Sequence, residues 1–187
     1  MPAPIHLTRP QLDAGLDHIR QSPTDGGALV HIVRRPAVGR REVLESATLN
    51  FEEGLVGDTW VVRGSHRTRD GSRHPDMQLN VMNARAAALI AQTPERWGLA
   101  GDQLYVDLDL SETNLPAGTR LRIGSAVIEV TAEPHTGCGK FVQRFGVDAQ
   151  KFVNGPVGRS LRLRGLNARV VTEGTVTTGD SVTKVPR

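Results

Sequence analysis

A single thiol, Cys138, stands in the segment Glu133-Pro134-His135-Thr136-Gly137-Cys138-Gly139-Lys140-Phe141. Gly137 and Gly139 leave the backbone around the sulfur almost free of side chains, so a bulky ligand has room to approach. A helix is expected to begin just after Cys138. Its first N–H groups, with Lys140, Arg144 and His135 as nearby cations, would stabilise a thiolate. The thiolate is the form that attacks electrophiles and ligates soft metals. The competing reading makes Cys138 a small buried hydrophobe, as single cysteines often are.

Other constellations are weaker. His66, His74 and His135 have no chelating spacing with one another or with Cys138. Asp107 and Asp109 share a strand face, but alternation with apolar residues reads as a solvated outer face rather than an acid–base pair. No nucleophile elbow, phosphate-binding loop or dinucleotide fingerprint occurs.

The elements that must position Cys138 are mostly strands. Ala28 to Arg34, Glu42 to Leu49, Met77 to Met82, Leu104 to Leu110, Arg120 to Ile123, Val127 to Thr131, Leu161 to Arg164, Ala168 to Glu173 and Ser181 to Val185 have strand composition or a period of two. Gly124-Ser125 turns one hairpin, and Pro134 ends the strand that leads to the thiol. Helical pieces are expected after Thr8-Arg9-Pro10, from Asn83 through Ile90, from Lys140 to Phe145 and from Ala149 to Val153. The segment from Gly64 to Pro75 reads as a polar loop. Residues 1–27 read as a helical appendage and linker, and residues 28–187 as the main domain. The fold class is mainly β (α+β): a barrel or sandwich with a few short peripheral helices.

Composition narrows the function classes. The chain has 187 residues, 38% hydrophobic and 23% charged, which suits a folded domain and not a disordered one. Formal net charge is +3, and among the basic residues only positions 140, 151 and 184 are Lys. Arg matches carboxylate and phosphate oxygens through its planar fork, so an anionic small molecule is one partner to expect; a coding preference for Arg gives the same composition. The arginines are spread along the chain, so nucleic acid is not the expected partner. One cysteine excludes an internal disulfide and suits a reducing compartment. No signal peptide or apolar span is visible, and a cytoplasmic protein without membrane contact is expected.

The stretch from Val127 to Phe145 resembles the cysteine region of MOSC domains, named for the C-terminal domain of molybdenum-cofactor sulfurases. Further pieces occur in that family's order. They are Gly54-Leu55-Val56-Gly57-Asp58, Pro75-Asp76-Met77-Gln78-Leu79, Glu112-Thr113-Asn114-Leu115, Leu121 to Ala126, and a closing pair, Gly174-Thr175-Val176 and Thr178 to Val182, that looks like a final hairpin. The resemblance implies a MOSC-type β-barrel and a cysteine that either ligates the molybdenum of a molybdopterin cofactor or carries sulfur as a persulfide. It places Asp58, Gln78 and Asn114 along the ligand cleft, with His135, Thr136, Lys140 and Arg144 around the thiol. A molybdenum-dependent reductase or a sulfur-transfer protein follows, with a redox or sulfur-donor protein as partner.

This chain departs from the family pattern in two places. Arg73-His74-Pro75-Asp76 stands where stand-alone reductase-like members have Gly-Gly-Pro-Asp, which weakens carry-over of their N-hydroxylated substrates. The other departure lies at the thiol. His135-Thr136-Gly137 precedes the cysteine where many members have Arg-x-Pro, which removes one anion contact unless a protonated His135 or Arg144 replaces it. The pyridoxal-phosphate half of full sulfurases is absent from this sequence. Two other readings compete: a non-catalytic module that binds an anionic small molecule or partner, with Cys138 buried, and a basic β-barrel that binds RNA.

Overall fold

Seven strands close a barrel in the computed structural model, which describes residues 6–186. They are β1 (Gly27–Arg34), β5 (Leu79–Asn83), β6 (Leu104–Asp107), β7 (Arg120–Ile123), β8 (Ala126–Val130), β9 (Leu166–Thr172) and β11 (Ser181–Val185). The order around the barrel is β1-β11-β7-β8-β9-β5-β6, and β6 returns to β1. Only the pairing of β5 with β6 is parallel. That pair needs a crossover, supplied by the helix Ala84–Ala91 together with Pro94–Trp97. β2 (Glu42–Leu44) extends the barrel beyond β1, while β3 (Ser46–Asn50), β4 (Gly54–Leu55) and β10 (Gly174–Thr177) form a separate three-stranded sheet.

Two apolar cores result. One fills the barrel with Leu29, Val81, Leu104, Val106, Leu121, Ile128, Leu166 and their neighbours, capped by Leu49, Leu55 and Val176 of the small sheet. The other lies between the outer face of the barrel, at Val33, Met82 and Tyr105, and a layer of helices. Those helices are α1 (Arg9–Ala14), α2 (Leu16–Arg20), α3 (Ala84–Ala91), α4 (Pro94–Trp97), α5 (Gly139–Phe145), α6 (Val147–Asn154) and α7 (Pro156–Ser160). Leu12 and Ile19 of the first two are buried in this second core.

The barrel with peripheral helices matches the sequence expectation, and Asn83 caps α3 by accepting the Ala86 N–H at 2.9 Å. Several local expectations are corrected. Glu42 to Leu49 is not one strand: the chain breaks at Glu45, and its two halves enter different sheets. Leu161 to Arg164 is a turn, closed by Leu163 N–H to Gly158 O at 2.8 Å and Gly165 N–H to Arg162 O at 2.7 Å. Its alternating leucines mimic a strand because Leu163 is buried in the helical core. The closing segments do not form a hairpin with each other. β10 pairs with β3, and β11 pairs with β7 and β1. Tyr105, on the face expected to be polar, is fully buried because the helices cover that side of β6. Asp107 pairs with Arg85 at 2.8 Å and Asp109 caps the turn at Ser111, so these two carboxylates serve structure.

Candidate functional site

The loop that leaves β8 carries Cys138 and is pinned at both ends. Thr131 N–H donates to Asn167 O at 2.9 Å, and Asn167 Nδ2 donates to Glu133 O at 3.1 Å. At the far end Gly137 N–H donates to Asn154 Oδ1, and Asn154 Nδ2 returns to Gly137 O, both at 2.9 Å. Asn154 therefore reads the Gly137 peptide from both sides. Gly137 itself is buried, and a Cβ there would press on Val153 Cγ2 at 3.1 Å. A Cβ on Gly139 would meet nothing within 4 Å. The chain is thus clamped before the thiol and open after it.

Cys138 is exposed and is the N-cap of α5. Burial alone would raise the thiol pKa. The backbone N–H groups of Phe141 and Lys140, followed by the positive charge of Arg164, outweigh that effect and lower it. The side chain makes no cap hydrogen bond in the helix's first turn, and it is the ionised sulfur that the Phe141 and Lys140 N–H groups favour.

Beside the loop lies a cleft of about 220 Å³, lined by Glu112, Glu133, His135, Thr136, Arg159, Arg162 and Arg164, with Pro134, Val153 and Leu166 as apolar wall. Cys138 is not part of that wall. It sits two residues past Thr136 on the same loop, and Arg164 serves both the cleft and the thiol. Beneath the cleft, Asp102 is fully buried between two partners: Arg164 Nη1 at 2.6 Å from Oδ2 and His135 Nε2 at 2.9 Å from Oδ1. Arg164 also donates to Ala100 O at 2.8 Å and lies 5.2 Å over the Phe141 ring. Burial would raise the Asp102 pKa, but Arg164 and then His135 hold it low. Burial, and then the Arg164 charge, lower the His135 pKa despite Asp102, so the imidazole is neutral at pH 7. Gly165, at φ +108°, is required beside it, because a Cβ would collide with Val81 O and press on His135 Cδ2 at 3.2 Å.

The sequence-derived site residues fall into two groups. His135 and Thr136 line the cleft, and exposed Lys140 follows the thiol in the first turn of α5. Arg144 sits in the last turn of α5, away from Cys138, donating to Leu99 O at 2.6 Å. Asp58 is buried, bound by Arg35 at 2.7 Å and capping the turn at Trp60. Gln78 is buried and bridges Phe51 O, at 2.8 Å, and the Val170 N–H, at 2.7 Å. Asn114 donates to Asp109 O at 2.7 Å and accepts from Lys184 at 2.6 Å. These last three lie outside the cleft wall.

Arg164, Asp102, Arg159, Arg162 and Asn154 belong to the site and have no local motif. A buried Asp and Arg far apart in sequence announce themselves only once the fold joins them.

Among the described residues no three His, Cys, Asp or Glu side chains cluster as a metal site. No helix among them is long and apolar enough to cross a membrane.

Comparison with solved structures shows where this architecture recurs. The chain is similar to the YuaD protein from Bacillus subtilis (16% identity, TM-score 0.59), with 86% of this chain and 97% of that one covered. It is similar to YiiM from Escherichia coli (24% identity, TM-score 0.54, coverage 86% and 70%). YiiM from Geobacillus stearothermophilus also aligns (16% identity, TM-score 0.57, coverage 86% and 76%). These likenesses concern the fold. No curated protein sequence matches the chain. The family model of the MOSC domain matches residues 68–183, more than half of the length, including the cysteine loop and every residue that lines the cleft. The chain belongs to the MOSC domain family.

Proposed function

We propose that this protein binds the molybdenum cofactor beside the arginine-lined cleft, with the Cys138 thiolate as the metal's one protein ligand. The observation that carries the reading is an exposed, lowered-pKa thiol on a clamped loop next to Arg159, Arg162 and Arg164. The donor set fits the group: a single soft thiolate, no competing cluster of hard ligands among the described residues, and open space at Gly139 for a bulky molecule. The cofactor, when bound, would supply two-electron redox chemistry. The chain's own residues do the rest. Asn154 fixes the Gly137 peptide and with it the direction of the thiol, Arg159 and Arg162 supply positive charge for the cofactor's anionic end, and the Lys140 and Phe141 N–H groups keep the sulfur ionised. A redox protein would be the required partner, and a single reduced thiol suits the cytoplasm.

The exposure of Cys138 favours a second reading, a persulfide carrier that presents its sulfur to an acceptor. One experiment separates the two: metal analysis, cofactor extraction and intact-mass measurement on protein made in a host with a working molybdopterin pathway. Molybdenum and pterin that purify with the wild type and are lost from Cys138→Ser support ligation. One extra sulfur on Cys138 without metal supports the carrier. Equal cofactor in both proteins overturns the proposal.

A further inference from the structure

Position 135 is a histidine where the family resemblance implies an arginine, and the structure gives it the opposite polarity. Asp102 is ionised between two donors, and a carboxylate in that state only accepts hydrogen bonds. His135 Nε2, at 2.9 Å, must therefore carry its hydrogen toward Asp102. That fixes the tautomer and leaves Nδ1 with its lone pair. Nδ1 has no hydrogen-bond partner among the described residues and is not sealed from solvent, and the ring lines the cleft. Arg164 cannot substitute for the missing arginine as an anion donor. Its Nη1 and Nη2 donate to Asp102 and Ala100 O, its Nε is buried without a partner, and its charge is shared with the ionised Asp102. Arg144 cannot either, because it is tied to Leu99 O at the other end of α5.

We infer that His135 is a specificity-determining residue: its Nδ1 accepts a hydrogen bond from the ligand, so the cleft selects molecules that present an N–H or O–H there and rejects an anionic oxygen at that point. The ligand class is then a polar molecule with a donor edge toward His135 and negative charge, if any, toward exposed Arg159. This rests on the cleft being the ligand site and does not require a bound metal.

The test uses ¹⁵N-histidine-labelled full-length chain and the isosteric probes benzamide, a neutral N–H donor, and benzoate, an anion, with inorganic phosphate as a third. Wild type at neutral pH should show His135 protonated at Nε2 and bare at Nδ1. Benzamide should shift the Nδ1 resonance, while benzoate and phosphate leave it unmoved. His135→Leu should weaken benzamide about tenfold, the loss of one hydrogen bond, and His135→Asn, whose amide offers an acceptor near the same place, should restore most of it. A proton on Nδ1, or a benzoate shift as large as that of benzamide, overturns the inference. The wild-type spectra decide even if a variant misfolds. Metal content, measured separately, tests the cofactor reading: protein that holds no molybdenum yet shows a bare Nδ1 refutes that reading and leaves this one standing.

Discussion

Replacing Arg164 with Met removes the cation that the rest of the site is arranged around. The substitution keeps much of the buried stem but breaks the 2.6 Å contact with Asp102, frees Ala100 O and removes the charge over Phe141. Both partners of the ion pair are buried, with side chains 8% and 0% exposed, so solvent does not screen the loss. Leaving a buried carboxylate short of a partner costs about 3–5 kcal/mol. That is a large share of a typical domain stability of roughly 5–15 kcal/mol.

The structure also holds a partial remedy. Arg164 is one of the groups that keep His135 neutral, and without it Asp102 favours the imidazolium. The His135 pKa therefore rises in the variant, and each unit of that rise is worth about 1.4 kcal/mol in acid. The destabilisation must then be larger near pH 8 than near pH 6. Urea unfolding of both proteins at the two pH values, followed by circular dichroism, measures it. Iodoacetamide alkylation should also slow in the variant, because the thiolate loses the Arg164 charge. A loss below about 1 kcal/mol at both pH values, or one with no pH dependence, refutes the account of a buried, coupled triad.

Cys138→Ser should abolish alkylation and change stability by no more than about 0.5 kcal/mol, since the side chain is exposed; in the wild type alkylation should persist to lower pH than for a free thiol. Asn154→Ala removes both hydrogen bonds to the Gly137 peptide and should cost about 1–3 kcal/mol, with faster hydrogen exchange at the Gly137 amide. Leu12→Ala should cost about 2–5 kcal/mol in urea unfolding while leaving the alkylation rate unchanged, because Leu12 is buried in the helical core. Acid should destabilise in two stages. His135 is depressed below its ordinary 6.5, so its contribution is complete above that pH and is lost as pH falls through it. Asp102, also depressed, keeps its contribution until pH falls below the ordinary carboxylate range. The unfolding free energy should decline in that order, and His135→Asn should remove the first stage.

What the sequence made legible follows from the range of the forces involved. Strands with a period of two, such as Arg120 to Ile123, show their buried face because one neighbour layer covers it. Asn83 is readable as a cap because its partner is three residues away. Leu161 to Arg164 misled for the complementary reason: its leucines alternate, yet Leu163 is buried against helices and a left-handed Arg162, at φ +48°, bends the chain. Cys138 was legible from its glycines and the helix after it. Its supporting charge was not, because Arg164 lies in a different loop and the nearer Arg144 points elsewhere. Contacts among Asp102, His135 and Arg164 depend on the strand order around β5, which no local pattern encodes. Asp102 precedes β6 and Arg164 precedes β9, the two strands that flank β5.

The count of arginines around the cleft overstates its appetite for anions. Arg164 is neutralised by Asp102, and Arg162 donates to Leu115 O at 2.6 Å from a strained backbone position. Arg159 donates through Nε to Asn154 O at 2.8 Å but is an exposed residue. Two carboxylates, Glu112 and Glu133, face the same space, although Glu133 is itself held by Arg67. The fixed charges therefore set a potential without offering many free donors, a preorganised field rather than a set of hands. The free hydrogen-bonding groups that remain on the inner wall include an acceptor, His135 Nδ1, and a hydroxyl, Thr136. Selectivity in such a cleft falls to those neutral groups, while Arg164 acts on the thiolate and exposed Arg159 remains for a ligand's anionic end. It follows that moving the acceptor at position 135 should change which ligand is chosen, and moving the charge at position 164 should change how reactive Cys138 is. The two effects should be separable in the same protein.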